Sequence, residues 1–161
     1  MTLFTLCAVI SLAGIVLYLL QVGATYSLLR KRPKPDISTI LENNYSPPVS
    51  ILKPLKGLDD NLFDNLESFC TQDYPEYEIL FCLQDYNDSA YKVAKKVQDK
   101  YPGQNISLVV EKCHVGLNPK VNNLIPAYRK ASHPYILISD SNVMVEKNYL
   151  KELIQHAADP S

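Results

Sequence analysis

Asp85, Asp88 and Asp140 stand out among the carboxylates, because each sits at or just after the end of an apolar run of strand length. Tyr135-Ile136-Leu137-Ile138-Ser139 stops at Asp140, with Ser141 and Asn142 behind it, and a second run stops at Gln84-Asp85, with Asp88 close by. Carboxylate oxygens hold a hard divalent cation, the cation bridges the oxygens of a diphosphate, and a carboxylate also accepts hydrogen bonds from a base or a ribose. Lys56 and Lys120 would neutralise remaining phosphate charge, helped by a helix N-terminus at Pro119. Such a mixture suits a nucleoside diphosphate. Neither G-x-G-x-x-G nor G-x-x-x-x-G-K-[ST] occurs, which sets aside dinucleotide and P-loop sites. Each candidate also has a plainer reading: Asp140 as the cap of a turn, Asp88 as the N-cap of the helix containing Ala90, Lys120 and Asn122 as the exposed face of a first helical turn, and His114 as a loop histidine.

The elements that must position these groups alternate. Residues 49–53, 77–84, 106–110 and 135–139 are strand-like, and the apolar fourth run predicts a strand buried on both faces of a parallel sheet. Leu62, Leu66 and Phe69 mark one face of a helix after the first strand, with Asp59 or Asp60 as its cap. Ala90, Val93, Ala94, Val97 and Tyr101 mark a second helix, which Pro102-Gly103 ends. Pro119 opens a third, with Val121, Leu124, Ile125 and Tyr128 as its predicted buried stripe and Pro126 predicting a kink or a stop. Asn148 caps a last helix carrying Leu150, Leu153, Ile154 and Ala157. Strand alternating with helix implies right-handed crossovers and an α/β, doubly wound, mainly parallel sheet. In such sheets ligands lie outside the carboxyl ends of the strands. Lys56, Asp85, Asp88, His114 and Asp140 would then share one edge.

The remaining composition narrows the class. With 161 residues the chain has room for one domain and a short extra segment. A net charge of −1 with no basic stripe excludes a nucleic-acid binder. Cys7, Cys70, Cys82 and Cys113 show no metal-ligand spacing and read as free thiols, which favours a reducing compartment. Sequons at Asn44, Asn87 and Asn105 argue otherwise only if the domain is lumenal.

Residues 1–29 carry no charge and exceed the roughly 20 residues needed to cross a bilayer. They predict a transmembrane anchor. A cleavable signal peptide is the alternative, opposed by the missing basic n-region and by the length of the apolar run. Arg30, Lys31, Arg32 and Lys34 follow at once and place the downstream chain in the cytosol. Residues 30–48, basic and proline-rich, predict an extended tether, and residues 49–161 form the folded domain.

Lys53-Pro54-Leu55-Lys56-Gly57, Asp73-Tyr74-Pro75, Gln84-Asp85, Asp140-Ser141 and the block Gly116-Leu117-Asn118-Pro119-Lys120-Val121-Asn122-Asn123-Leu124 together resemble the ceramide glucosyltransferases. These are membrane-bound, family-2-like glycosyltransferases of GT-A fold. The resemblance implies transfer of glucose from UDP-glucose to the primary hydroxyl of ceramide, with inversion, at the cytosolic face of the Golgi membrane. It assigns Asp88, with Asp85 beside it, to the neighbourhood of the uridine, and Asp140 to a Mg²⁺ or Mn²⁺ ion and the diphosphate. Lys120 and Asn123 fall in a motif that lines the donor side. His114 stands where the family more usually has lysine, and Asn142 leaves no Asp-x-Asp pair. The family's general-base aspartate and its Gln/Arg-x-x-Arg-Trp motif are expected beyond Ser161, so these residues are expected to be the nucleotide-sugar-binding part of a GT-A domain. A relative acting on a polyprenyl phosphate or a polysaccharide would share the sheet and the aspartates, and so would a non-catalytic, membrane-tethered UDP-binding module.

Overall fold

The computed structural model describes residues 2–31 and 45–158, and most of the expected tether lies outside them. The chain divides into two compact units, Met1–Ile37 and Ser38–Ser161. The first contains one helix, α1 (Leu3–Lys31), whose stretch Phe4–Ser27 has a mean hydropathy of 2.2 and is long and apolar enough to cross a membrane. Within it the Thr25 hydroxyl donates to the Gln21 carbonyl at 2.9 Å.

The second unit alternates β1 (Val49–Pro54), α2 (Leu62–Cys70), β2 (Tyr77–Leu83), α3 (Ser89–Lys100), β3 (Ile106–Val110), α4 (Pro119–Lys130), β4 (Tyr135–Ile138) and α5 (Tyr149–Ala158). All strand pairs are parallel and the order is β3-β2-β1-β4. The chain therefore winds outward from β1 to β3 and then returns across the sheet to lay β4 on the other side of β1. Right-handed crossovers translate that reversal into layers. One face buries Val49, Ile51, Phe69, Phe81, Ala94, Val97, Leu150 and Ile154, joining the sheet to α2, α3 and α5. The opposite face buries Leu52, Leu80, Cys82, Val109 and Ala127 and belongs to α4. The doubly wound expectation is met, and the topological switch point falls between β1 and β4.

Four local expectations are corrected. The fourth strand is not buried on both faces by the described residues: among them β4 pairs only with β1, and Ile138 is 52% exposed. Neither Asp59 nor Asp60 caps α2. Asn61 holds that place in the left-handed region (φ 55°), which asparagine tolerates, while the Asp59 carboxylate accepts from the Ser141 hydroxyl. The stripe predicted for α4 is rotated by about one residue. Asn122, Asn123, Pro126 and Ala127 are buried, whereas Val121 and Tyr128 are exposed. Apolar periodicity misreads this helix because two asparagines turn inward to serve backbone groups. Finally, α4 runs on through Pro126 to Lys130 instead of becoming irregular there.

Candidate functional site

The carboxyl ends of the strands enclose a crevice of about 660 Å³, walled by Pro54, Leu55 and Lys56 after β1, Gln84, Asp85 and Asp88 after β2, Asn118 to Lys120 and Asn123 at the start of α4, and Asp140 to Asn142 after β4. Residues separated by as many as 88 positions meet there because the sheet is parallel and reverses its winding at β1. Asp85, Asp88, Lys120, Asn123 and Asp140 all line it. His114 does not: it is exposed on the connection from β3 to α4.

Each wall is braced from the residues upward. Asp88 is the N-cap of α3, its Oδ1 accepting from the Ala90 N–H at 2.9 Å and from the Gly57 N–H at 2.8 Å. Gly57 has a positive φ of 69°, a conformation that side chains disfavour, and this turns its N–H toward Asp88. The cap reading of Asp88 is therefore correct, and the same carboxyl group lines the crevice. Asp85 accepts from the Asn87 N–H at 2.8 Å, closing the turn after β2. Asn118 caps α4 by accepting from the Lys120 N–H at 2.9 Å, with Pro119 in the first helical position as its sequence predicts.

Behind this cap the two adjacent asparagines divide the work. Asn122 Oδ1 accepts from the Val115 and Gly116 N–H groups at 3.1 and 2.9 Å, and its amide donates to the Gly116 carbonyl at 2.8 Å, which fixes the loop before α4. The Asn123 amide donates to the Leu55 carbonyl at 3.0 Å and ties α4 to the end of β1, while its Oδ1 is buried with no partner among the described residues. The motif's asparagines thus hold the backbone that shapes the crevice.

Asp140 is open to solvent. Its side chain is 55% exposed and forms an ion pair with Lys120. Among the described residues, no group of three or more histidine, cysteine or acidic side chains gathers into a ready-made metal cage. A cation held here would keep waters and borrow phosphate oxygens, the usual habit of Mg²⁺ with one or two protein carboxylates. Asp140, with the Lys120 ammonium already drawn to it, is the group that fits such an ion.

Two residues have a place at the site that the sequence reading did not give them. Asp59, expected as a helix cap, lines the crevice. Lys53 is wholly buried beneath it, donating to the Asp140 carbonyl at 2.9 Å and to Ser139 Oγ at 3.3 Å, with its ammonium 3.7 Å from the centre of the Phe69 ring. Burial pushes its amine down to about 7, against the opposing influence of Asp140 and Cys70. A lysine inside an otherwise apolar strand was the available signal. The four cysteines are free as expected, and burial pushes the thiols of Cys70 and Cys82 up to about 12.

With this geometry in view, similarity to known proteins is informative. The model of the family described as "Glycosyl transferase family 21" matches residues 5–161. Ceramide glucosyltransferase 3 of Caenorhabditis elegans is 41% identical over 146 residues, covering 89% of this chain and 31% of the relative. Ceramide glucosyltransferase of Gibberella zeae is 34% identical over 159 residues, covering 91% of this chain and 30% of the relative. The chain thus spans about a third of the length of the curated relatives it matches. Among solved structures, a mannosyltransferase from Pyrobaculum calidifontis in complex with GDP-Man and Mn²⁺ superposes with a TM-score of 0.63 at 22% identity, over 73% of this chain and 34% of that one. Staphylococcus aureus TarS 1-349 in complex with UDP-GlcNAc gives 0.51 at 22% identity, over 66% of this chain and 30% of that one. At such identities the likeness shows a shared fold.

Proposed function

The chain belongs to glycosyl transferase family 21, and from that membership we propose that residues 49–161 are the nucleotide-sugar-binding part of a ceramide glucosyltransferase that uses UDP-glucose as donor. The observation that carries the proposal is the meeting of Asp85, Asp88, Lys120 and Asp140 in one crevice at the β1/β4 switch point. Asp140 would hold a Mg²⁺ or Mn²⁺ ion together with the donor diphosphate. When bound, that ion stabilises the negative charge left on UDP as the glycosidic bond breaks. Lys120, at the positive end of α4, moves from Asp140 to a phosphate oxygen and neutralises further charge. The Asp85 and Asp88 side of the crevice faces the uridine, and Asn123 holds the wall behind the donor.

Proton acceptance is assigned to no residue of this chain. Inverting transfer to the ceramide hydroxyl needs a general base, and the aspartates that line the crevice are engaged otherwise: Asp59 by Ser141, Asp85 by Asn87, Asp88 by two N–H groups and Asp140 by Lys120. These 161 residues are therefore expected to bind donor without forming glucosylceramide.

The test is calorimetric titration of the full chain in detergent micelles with UDP and UDP-glucose, with and without Mn²⁺. Saturable binding that strengthens with Mn²⁺ is the expected result, and the absence of saturable binding under either condition would refute the assignment. We further propose that α1 anchors the chain in the Golgi membrane with the domain in the cytosol, because basic residues follow it directly. Asn87 and Asn105 are exposed sequons on the domain. An endoglycosidase-sensitive band shift that is abolished by Asn87→Gln would place the domain in the lumen instead.

A further inference from the structure

Lys53 occupies a position where packing alone does not call for a charged side chain. It is 0% exposed, and its ammonium lies 3.7 Å from the centre of the Phe69 ring. Taking an ammonium out of water costs several kcal/mol even after relaxation, so a methionine or leucine would fill the same slot at lower cost. What a lysine adds is a grip on main chain. The ladder between β1 and β4 ends at Leu52↔Ile138, and one further bond, from the Ser139 N–H to the Leu52 carbonyl at 3.1 Å, closes it. Asp140 is the first residue past that bond. The Lys53 side chain reaches across from β1 to the Asp140 carbonyl at 2.9 Å, extending the attachment of β4 by one residue where strand pairing has stopped.

We propose that Lys53 is a positioning residue for Asp140: by holding the Asp140 backbone from beneath, it presents the carboxylate to the crevice in the place where cation and diphosphate meet. The inference rests on the donor-site reading of the crevice. A half-exposed ligand that lies just past the end of a strand's pairing otherwise loses affinity each time it must be re-ordered on binding. Ser139 Oγ, at 3.3 Å from the same amine, steers the ammonium toward the carbonyl and takes no part in the crevice itself.

The experiment compares wild type, Lys53→Met and Lys53→Arg as full chains in micelles, titrated with UDP in the presence and absence of Mn²⁺. Lys53→Met should lose about tenfold in the Mn²⁺-dependent part of the affinity, the scale typical of groups that orient a metal ligand, and keep its Mn²⁺-independent part. Lys53→Arg, which retains a donor, should recover part of the loss. A folded Lys53→Met with wild-type Mn²⁺ dependence overturns the proposal, as does an equal loss with and without Mn²⁺, which would mark a merely structural role. If Lys53→Met does not fold, Phe69→Leu decides: it removes the ring under the ammonium, and a severalfold loss confined to the Mn²⁺-dependent part supports the proposal while unchanged binding overturns it. Wild type that binds no UDP would instead remove the donor-site reading on which the proposal stands.

Discussion

The two ends of the same sheet each bury a charged side chain, and they treat it in opposite ways. At the amino end Glu78 of β2 is saturated: its Oε1 accepts from Ser50 Oγ at 2.5 Å and from the Ser132 N–H at 2.6 Å, and Ser132 Oγ reaches Oε2 at 3.4 Å. Ser50 Oγ in turn accepts from the His133 N–H at 3.1 Å, so the turn between α4 and β4 is stapled to β1 and β2. At the carboxyl end Lys53 has two oxygen acceptors and a ring face, and the Asp140 carboxylate above it is open to solvent with the half-exposed Lys120 as its partner. The difference separates two uses of buried polarity. A network whose hydrogen-bonding capacity is spent within the fold fixes the chain. One that leaves a carboxylate half satisfied keeps binding capacity for a ligand.

Variants at the two ends should therefore fail in different measurements. The largest effect is expected from Glu78→Ala, which strands the Ser50 hydroxyl and the Ser132 N–H and opens a void; it should cost about 3 kcal/mol or more in urea unfolding. The UDP affinity of the molecules that remain folded should be unchanged. Asp140→Ala should do the reverse, lowering Mn²⁺-dependent UDP affinity about a hundredfold, or about 2.7 kcal/mol, with little change in the unfolding midpoint because the side chain is 55% exposed. If Glu78→Ala weakened binding as much as Asp140→Ala does, the two ends would be coupled and the division would fail.

Lys120 sharpens the same contrast from within the carboxyl end. Its ion pair with Asp140 joins two half-exposed side chains, so it adds little stability. Its consequence is occupancy, since the ammonium sits where a cation would be drawn. Lys120→Met should bind Mn²⁺ alone a few-fold more tightly, read by electron paramagnetic resonance titration, yet bind Mn²⁺·UDP about tenfold more weakly because a phosphate partner is gone. A fall in both affinities would mean that the ammonium does not compete with the ion.

How much of this was legible in the sequence follows the same division. Strands and helices were readable because β1 and β2 are buried along their whole length and α3 keeps a clean helical period at Ala90, Ala94 and Val97. The grouping of Asp85, Asp88 and Asp140 was readable too, since a parallel sheet brings strand ends to one edge whatever lies between them, while the motif of the family resemblance added Lys120 and Asn123. The inward turn of Asn122 and Asn123 was not, because apolar periodicity gives no weight to side chains buried to serve backbone N–H and carbonyl groups. Nor was the exposure of β4 among the described residues: an apolar run reports that a strand needs cover, without saying which neighbour supplies it. The jobs of Lys53 and Glu78 went unread for a related reason. Composition treats a charge within a strand as noise, whereas the fold spends one on a turn and the other on the loop that carries Asp140.

The smallest expected effect concerns pH, and it bears on Lys53 alone. Burial lowers its amine from an ordinary 10.5 to about 7, so between those values the unfolded chain binds a proton that the folded chain does not. Stability then rises with pH across that window, and the cost of burying the charge is fully present below pH 7. For a group that titrates near 7 when folded, the gain between pH 7 and 8 is about 1 kcal/mol. Urea midpoints of wild type and Lys53→Met, measured without divalent cations, should therefore diverge in favour of wild type as pH rises through this unit. Other lysines and tyrosines contribute equally to both chains and cancel in the difference. Parallel curves would mean that Lys53 keeps its proton when buried, held by the Asp140 carbonyl, Ser139 and the Phe69 ring more strongly than burial opposes it. The carboxyl end would then resemble the amino end, with its buried charge already satisfied within the fold.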